Sequence, residues 1–313
     1  MNMDPSKGIV GLKGALRYVR AYRDQTFVVK LGGDVVSDLE ALDSVAAQVS
    51  LLSSLGIRLV VVHGGGTQAS ALSRRLGIEP VMVAGRRVTD DAALEVAEMV
   101  YAGRINTQLL AALREHEVQG VGLSGVDADL ITASRRPPVK VVDDDGTTKV
   151  VDYGNVGDVR RADTRILTTL LDGRFVPVIA SLAGDDEGNV YNVNADTIAE
   201  TLAVALKAQK LIFMTGAPGV LRDRNDPSSL VTFADPDDLA ELMASGALAG
   251  GMRPKVESCI RAATGGVERT HIIDGRAADS LLHEVFTGSG CGTMIVGRKE
   301  KATYLGVDLG SRD

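Results

Sequence analysis

Two glycine-rich turns and a lysine are the residues of this sequence best suited to chemistry. Residues 63–66 (HGGG) follow an apolar strand-like run and precede a helical pattern. Such a turn places unobstructed backbone N–H groups at a helix N-terminus, where an anion is stabilised. Residues 30–33 (KLGG) follow a second apolar run and add an ammonium group. If the two strands are neighbours, one positive charge and two glycine turns suit a polyphosphate.

Other interpretations of the same residues remain open at this point. A glycine after a strand also makes an ordinary tight turn, and buried His63 is expected to be a hydrogen-bonded structural residue. The spacing of Gly64, Gly66 and Ala69 fits a dinucleotide pattern, with an arginine pair at 86–87 about 20 residues further on, as in NADP sites. That pattern follows the second strand rather than the first and leaves Lys30 unexplained. An NADP-dependent oxidoreductase is therefore the weaker hypothesis.

Any phosphoryl transfer must belong to an uncommon class of kinase, because neither the P-loop spacing nor the protein-kinase signatures occur. Three further polar clusters each precede a predicted helix. They are RRVTD at 86–90, YNVNAD at 191–196 and GGMRPK at 250–255.

The elements that must position these residues alternate between apolar strands and helices. Strands are predicted at 26–31, 58–63, 120–123, 175–180, 210–214, 271–273 and 293–296, and helices at 12–22, 39–55, 67–76, 90–116, 195–207, 235–245 and 255–264. Residues 131–159 predict hairpins over one edge. Apolar strands separated by helices are typical of a mostly parallel sheet. We expect a three-layer α/β/α sandwich in which both halves share one sheet.

Composition narrows the class of partner. The 313 residues carry a formal net charge of −7, which disfavours nucleic acid and anionic membranes and favours small-molecule substrates. No apolar run approaches the roughly 18 residues of a membrane helix, and the N-terminus lacks a signal-peptide core. Cys259 and Cys291 lack the spacing of a disulfide framework or a metal site. These features predict a cytoplasmic protein without a metal site of its own.

Seven motifs, in order along nearly the whole chain, resemble those of the amino acid kinase family. They are KLGG at 30–33, VVVHGGG at 60–66, RVTD at 87–90, YNVNAD at 191–196, GGM-x-PK at 250–255, HIIDGR at 271–276 and GTMI at 292–295. Within the family the sequence is most similar to the members of arginine biosynthesis. The resemblance implies transfer of the γ-phosphoryl group of MgATP to the side-chain carboxylate of N-acetyl-L-glutamate, giving N-acetylglutamyl 5-phosphate.

The residue types agree with this chemistry. A glutamate carboxylate has a pKa near 4.3, so the acceptor is already ionised at neutral pH and needs no general base. The protein then has two tasks: to neutralise the negative charge on the phosphoryl group and to place donor and acceptor in line. The resemblance implies that Lys30 and Lys255 flank the transferred phosphoryl group, that Asp196 holds both lysines, and that Mg²⁺ is held mainly by the nucleotide phosphates. It assigns acceptor binding to Gly65, Gly66, Arg87 and Asn192, and phosphate binding to Gly32, Gly33 and Gly64.

The resemblance also divides the chain and implies regulation. Residues 1–25 correspond to the N-terminal helix of arginine-sensitive, hexameric members, residues 26–190 to a lobe that binds the acylglutamate, and residues 191–313 to a lobe that binds ATP. A homo-oligomer, a dimer or a hexamer built through these helices, is expected, with arginine as inhibitor. Tyr18, His283 and Glu284 would contact the effector. The alternative is a helix used for packing only.

Departures from the family pattern leave other acceptors open. Arg86 stands where an apolar residue is usual, and residues 124–128 (SGVDA) differ from the usual SGKDG. An arginine that pairs with an extra carboxylate would favour N-succinylglutamate. A carrier-bound aminoadipate is a further alternative, as is a non-catalytic homologue. Gly216 replaces a usual aspartate, which predicts one ATP contact fewer.

Overall fold

The centre of the computed structural model is an eight-stranded sheet. Its strands are, in order across the sheet, β14 (Phe233–Ala234), β16 (Thr293–Val296), β15 (Arg269–Asp274), β13 (Lys210–Thr215), β1 (Thr26–Leu31), β2 (Arg58–His63), β10 (Val176–Ala180) and β5 (Gly120–Ser124). Neighbouring strands are parallel except for β15 and β16. Strands from both halves of the chain lie side by side, which confirms the expected single sheet.

The structure describes residues 16–142, 147–246, 248 and 250–297. Of the helix predicted at 12–22, residues 16–22 are described and are helical (α1). The rest of the proposed oligomerisation helix lies outside the described residues. No helix within the described ranges combines the length and apolar character needed to cross a membrane.

Helices cover both faces of the sheet because successive strand residues point in opposite directions. Phe27, Val29 and Leu31 of β1 are buried against one layer of helices, whereas Val28 is buried against the other. The first layer contains α2 (Gly33–Ser37), α3 (Leu39–Ser54), α4 (Gly66–Arg75), α5 (Asp91–Glu98), α6 (Asn106–Glu115) and α11 (Ser280–Phe286); the second contains α7 (Arg165–Asp172), α8 (Ala195–Ala205), α9 (Pro236–Ala244) and α10 (Met252–Thr264). The predicted three-layer sandwich is confirmed.

Smaller β structures flank the carboxyl ends of the central strands. One sheet contains, in order, β12 (Val190–Asn192), β11 (Leu182–Gly184), β6 (Ile131–Arg135) and β9 (Gly157–Ala162), and two hairpins are formed by β3 (Met82–Val83) with β4 (Arg86–Arg87) and by β7 (Val139–Val142) with β8 (Thr148–Val151). Short 3₁₀ turns occur at Asp127–Asp129 and Pro227–Ser229. The hairpins predicted over 131–159 are present.

The helix predicted over 90–116 has the expected extent but not the expected regularity. A π-helical segment, Met99–Ile105, joins α5 to α6. A π turn contains one more residue than an α turn, so it rotates the side chains that follow it. The apolar periodicity of the sequence did not reveal this extra residue.

Candidate active site

The two glycine turns of the sequence lie together at the carboxyl edge of the sheet. Strands β1 and β2 are parallel neighbours, with Lys30 opposite Val62 and Leu31 opposite His63. A Cβ placed on Gly33 would lie 3.6 Å from the Thr67 hydroxyl at the start of α4, so the turns are adjacent. The carboxyl ends of parallel strands are the usual location of ligand sites in open α/β sheets.

Lys30, Asp196 and Lys255 converge at this edge from three different elements. Asp196 lies in the first turn of α8, where the Asn194 side chain caps the helix by accepting from the Asp196 N–H at 2.8 Å. The Lys30 Nζ is 2.6 Å from Asp196 Oδ1, and the Lys255 Nζ, at the start of α10, is 3.0 Å from Asp196 Oδ2. One carboxylate therefore holds two ammonium groups that are distant in sequence.

Burial and charge set the electrostatics of this cluster. Lys30 and Asp196 are 6% and 3% exposed. Burial, together with the charge of Lys255, lowers the pKa of Lys30, and Asp196 opposes that shift. Burial would raise the pKa of Asp196, but the two lysines outweigh it and hold that pKa below its ordinary value. Because two cations share one anion, a positive charge remains uncompensated at the sheet edge, as an anionic ligand requires.

The backbone N–H groups of the glycine turns differ in what they can bind. In the described part of the chain, the N–H groups of Gly33, Gly65 and Gly66 have no acceptor. The N–H of Gly32, by contrast, donates to the Met214 carbonyl at 2.8 Å. Any part of Gly32 in phosphate binding, as the resemblance implies, would therefore not use its N–H, which extends the ladder between β1 and β13.

The residues assigned to the acceptor lie around the β2 turn. Arg87 donates to the Gly66 carbonyl at 2.7 Å and also to Ser70, which fixes its guanidinium beside the turn and leaves further N–H groups. Asn192 donates to the Thr89 hydroxyl at 3.2 Å. Thr89 belongs to the RVTD motif, but its contact with Asn192 was not predicted, and Ser70, which holds Arg87, lies in no motif.

The Gly216 position is filled from another part of the chain. A Cβ on Gly216 would lie 2.6 Å from the Asp34 carboxylate, which therefore occupies the space beside this glycine. Arg276 donates to the Gly216 carbonyl and, at 3.1 Å, to Asp274. The aspartate that is usual at position 216 is absent, but the Asp34 carboxylate of α2 lies beside that position.

The model of the amino acid kinase family matches residues 25–274, which is most of the chain. The chain is 49% identical to the acetylglutamate kinase of Myxococcus xanthus over 286 residues, covering 91% of this chain and 93% of that protein. The chain belongs to the amino acid kinase family. The order of the seven motifs is therefore explained by common descent.

Solved structures extend the comparison of this amino acid kinase. N-acetylglutamate synthase from Neisseria gonorrhoeae, in complex with coenzyme A and N-acetyl-glutamate, is 30% identical with a TM-score of 0.78, over 92% of this chain. The same synthase with coenzyme A and L-arginine gives 28% identity and a TM-score of 0.75, over 92% of this chain. This chain spans 63% and 65% of those two longer chains.

A cavity of about 550 Å³ lies at the opposite, amino-terminal end of β13 in this amino acid kinase. Tyr18 and Glu284, two of the effector contacts that the resemblance implies, line it. His283 does not: it is exposed on α11 and is absent from the cavity lining. Buried His271 and Lys210 line the cavity instead. The sequence assigned neither residue a role in binding: Lys210 begins the apolar strand β13, and His271 was noted only as the first residue of the HIIDGR motif.

Charged and titratable side chains are concentrated inside this cavity at the amino-terminal end of β13. The His271 Nδ1 is 2.6 Å from Glu284 Oε1, and the Lys210 Nζ is 3.1 Å from His271 Nε2. Burial lowers the pKa of His271 to about 4 and that of Lys210 to about 7. Burial would raise the pKa of Glu284, but the bond from His271 and backbone N–H groups lower it to about 2. Glu284 is therefore a buried anion at neutral pH.

Proposed function

We propose that the protein transfers the γ-phosphoryl group of ATP to the side-chain carboxylate of N-acetyl-L-glutamate. The observation that carries this proposal is the convergence of Lys30 and Lys255 on Asp196 beside two glycine turns. The 49% identity to the acetylglutamate kinase of Myxococcus xanthus supports the choice of acceptor. The product would be N-acetylglutamyl 5-phosphate, an intermediate of arginine biosynthesis.

Catalysis in this proposal is electrostatic. The acceptor carboxylate is ionised near pH 7, so it attacks phosphorus without a general base. Lys30 and Lys255 neutralise the charge on the transferred group and on the leaving oxygen, and Asp196 keeps both lysines in place. The N–H groups of Gly33, Gly65 and Gly66 donate to phosphoryl or acceptor oxygens. Such preorganised donors act without further reorganisation when charge develops.

In this proposal the nucleotide brings its own metal. Within the described residues, no group of three or more His, Cys, Asp and Glu side chains is placed to hold a metal ion. Mg²⁺ prefers phosphate oxygens and water to an all-protein cage, and it would neutralise phosphate charge when bound. Asp34 is exposed next to the turn at residues 32–33, and in this proposal its carboxylate faces the hydrated ion.

Acceptor and nucleotide occupy different lobes in this proposal. Residues 26–190 hold the acylglutamate, with Arg87 on its backbone carboxylate, and residues 191–313 hold ATP. Asn192, at the start of the second lobe, reaches the acylglutamate amide across the boundary. Arg86 is exposed on the β3–β4 hairpin, which supports an acetyl rather than a succinyl acceptor. The two free cysteines, Cys259 and Cys291, support a cytoplasmic location.

We expect ATP and N-acetyl-L-glutamate together to release ADP and to form a product that hydroxylamine traps as the hydroxamate. An acyl phosphate reacts in this way, whereas a carboxylate does not. N-succinylglutamate and a reaction without acceptor serve as comparisons under the same conditions. ADP release without hydroxamate, or a higher kcat/KM for the succinyl compound, would contradict the choice of acceptor.

We further propose that the cavity lined by Tyr18 and Glu284 binds L-arginine and inhibits the enzyme. Glu284 and Glu268 offer anions for a guanidinium, and Lys210 and Arg269 offer cations for a carboxylate. The related synthase that was solved with L-arginine supports this ligand. Because α1 forms one wall through Tyr18, the N-terminal helices that we propose to join dimers into a hexamer would also sense the effector.

Replacing Tyr18 by Ala is expected to raise the arginine concentration for half-inhibition at least tenfold. The Tyr18 ring forms part of the cavity wall, and its centroid lies 6.5 Å from that of the Phe286 ring. His283→Ala on the exposed face of α11 is the matched control and should leave inhibition unchanged. Initial rates with increasing arginine measure both, and sedimentation of the full chain tests the hexamer. A wild-type enzyme insensitive to millimolar arginine would end this proposal.

A further inference from the structure

A buried chain of polar groups lies beneath the Gly64–Gly66 turn and is not used by the mechanism above. His63 ends β2 and is fully buried. Its Nδ1 is 3.0 Å from the Gly64 carbonyl oxygen, and its Nε2 is 3.2 Å from the Asn106 side-chain nitrogen. That nitrogen is also 3.0 Å from the Val178 carbonyl oxygen of β10. These hydrogen bonds therefore connect β10, through the side chains of Asn106 and His63, to the Gly64–Gly66 turn.

The partners assign the proton on the His63 ring. A backbone carbonyl only accepts, so the Asn106 atom that faces Val178 is the amide nitrogen, which donates. The same nitrogen faces His63 Nε2, which must therefore accept. Burial, with a contribution from the charge of Lys30, lowers the pKa of His63 to about 4. The neutral ring thus carries its proton on Nδ1 and donates it to the Gly64 carbonyl.

This bond fixes the orientation of one peptide group. In a trans peptide, the carbonyl and the N–H point in opposite directions. With the Gly64 carbonyl held toward the buried ring, the Gly65 N–H points away from the core. Tyr101 and Ile105 also pack directly against Gly65. A Cβ placed on Gly65 would lie 2.6 Å from Tyr101 Cδ1 and would collide with Ile105.

The π-helical segment brings these supports to one place. Tyr101 and Ile105 belong to Met99–Ile105, and Asn106 is the next residue. In a π turn residues five apart lie near one face, so Tyr101 and Asn106 lie on the same side of the segment as Ile105, which follows Tyr101 by four residues. On the far side, Gly122 of β5 leaves space for the Asn106 amide oxygen, which any Cβ there would strike.

We propose that His63 is a positioning residue for the phosphoryl transfer, which it assists by holding the Gly64–Gly65 peptide so that the Gly65 N–H faces the reacting groups. Asn106 holds the ring in the tautomer that this requires. The expected effect on kcat rests on the proposed function. The tautomer of His63 and its contacts do not, and they can be tested without substrate.

Two variants separate positioning from packing. His63→Asn keeps a nitrogen at the Nδ1 position and so keeps the bond to Gly64, whereas His63→Gln keeps a nitrogen only at the Nε2 position. We expect His63→Gln to lower kcat about 10²-fold, as for one lost preorganised donor, and His63→Asn to stay within about tenfold of wild type. In His63→Gln, kcat should fall by a larger factor than KM for N-acetyl-L-glutamate rises. Equal losses in both variants, or losses that follow the thermal midpoints, would overturn the proposal.

A second measurement needs no substrate. Long-range ¹H–¹⁵N spectra of the full-length protein with labelled histidine report which ring nitrogen carries the proton. Protonation of His63 at Nδ1 near pH 7 is expected, and protonation at Nε2 would overturn this inference alone. A wild-type protein that shows the Nδ1 tautomer but does not phosphorylate N-acetyl-L-glutamate would overturn the proposed acceptor instead.

Discussion

Replacing Lys30 by Met is expected to lower kcat by about 10³-fold or more, because it removes one of the two ammonium groups that neutralise the transferred phosphoryl group. Met has a similar length and fills the same buried space. Asp196 keeps Lys255 at 3.0 Å, so its charge stays paired and the fold should persist. Steady-state rates at saturating ATP and N-acetyl-L-glutamate measure the loss, and a thermal melt checks the fold.

The matched control for Lys30→Met is the same substitution at Lys140, an exposed residue of β7. It removes an identical charge from the surface, where salt screens it. Activity within twofold of wild type is expected for Lys140→Met. Comparable losses in both variants would mean that net charge, rather than the position of Lys30, governs the rate, and would refute the assigned role.

Asp196→Asn is expected to have an effect of similar size on kcat and a larger one on stability. The amide has the same shape but cannot balance Lys30 and Lys255, and removing one partner of a buried ion pair costs about 3–5 kcal/mol. Asp196 also raises the pKa of Lys30, which burial already lowers. Without that carboxylate, Lys30 loses its proton at lower pH, so the alkaline decline of kcat should begin at lower pH than in wild type.

Glu200→Gln is the control for Asp196→Asn, because it removes another ion pair between the same two helices. Glu200 of α8 pairs with Arg261 of α10 at 2.7 Å, one helical turn from Asp196. Its loss should lower the thermal midpoint slightly and leave the pH profile of kcat unchanged. If Glu200→Gln shifted that profile as much as Asp196→Asn, helix docking rather than charge at Lys30 would explain both.

The sequence predicts the strands that form the sheet edge more completely than it predicts the site. β1, β2 and β16 begin and end where the apolar runs do, since a buried parallel strand is an unbroken apolar segment and a glycine turn ends the first two. The meeting of Lys30 with Lys255 is different. Nothing in the spacing relates two lysines so far apart, and only the family resemblance suggested that one carboxylate would hold both.

Supporting contacts were the part that the sequence could not give. The sequence indicates that His63 is a buried structural histidine, and it does lie in the core, but its bond to Gly64 depends on Asn106. Asn106 directly follows the π-helical segment Met99–Ile105. The sequence predicts one continuous helix over 90–116 and gives no sign of the extra residue. Likewise, Gly32 appears equivalent to Gly33 until the ladder to Met214 is seen.

The most direct test is a crystal structure of the enzyme with MgADP, aluminium fluoride and N-acetyl-L-glutamate. This combination imitates a phosphoryl group between its donor and its acceptor. We expect the planar fluoride to lie within hydrogen-bond distance of both the Lys30 and the Lys255 Nζ, with Asp196 still bridging them. A fluoride bound elsewhere, or contacted by neither lysine, would contradict the mechanism.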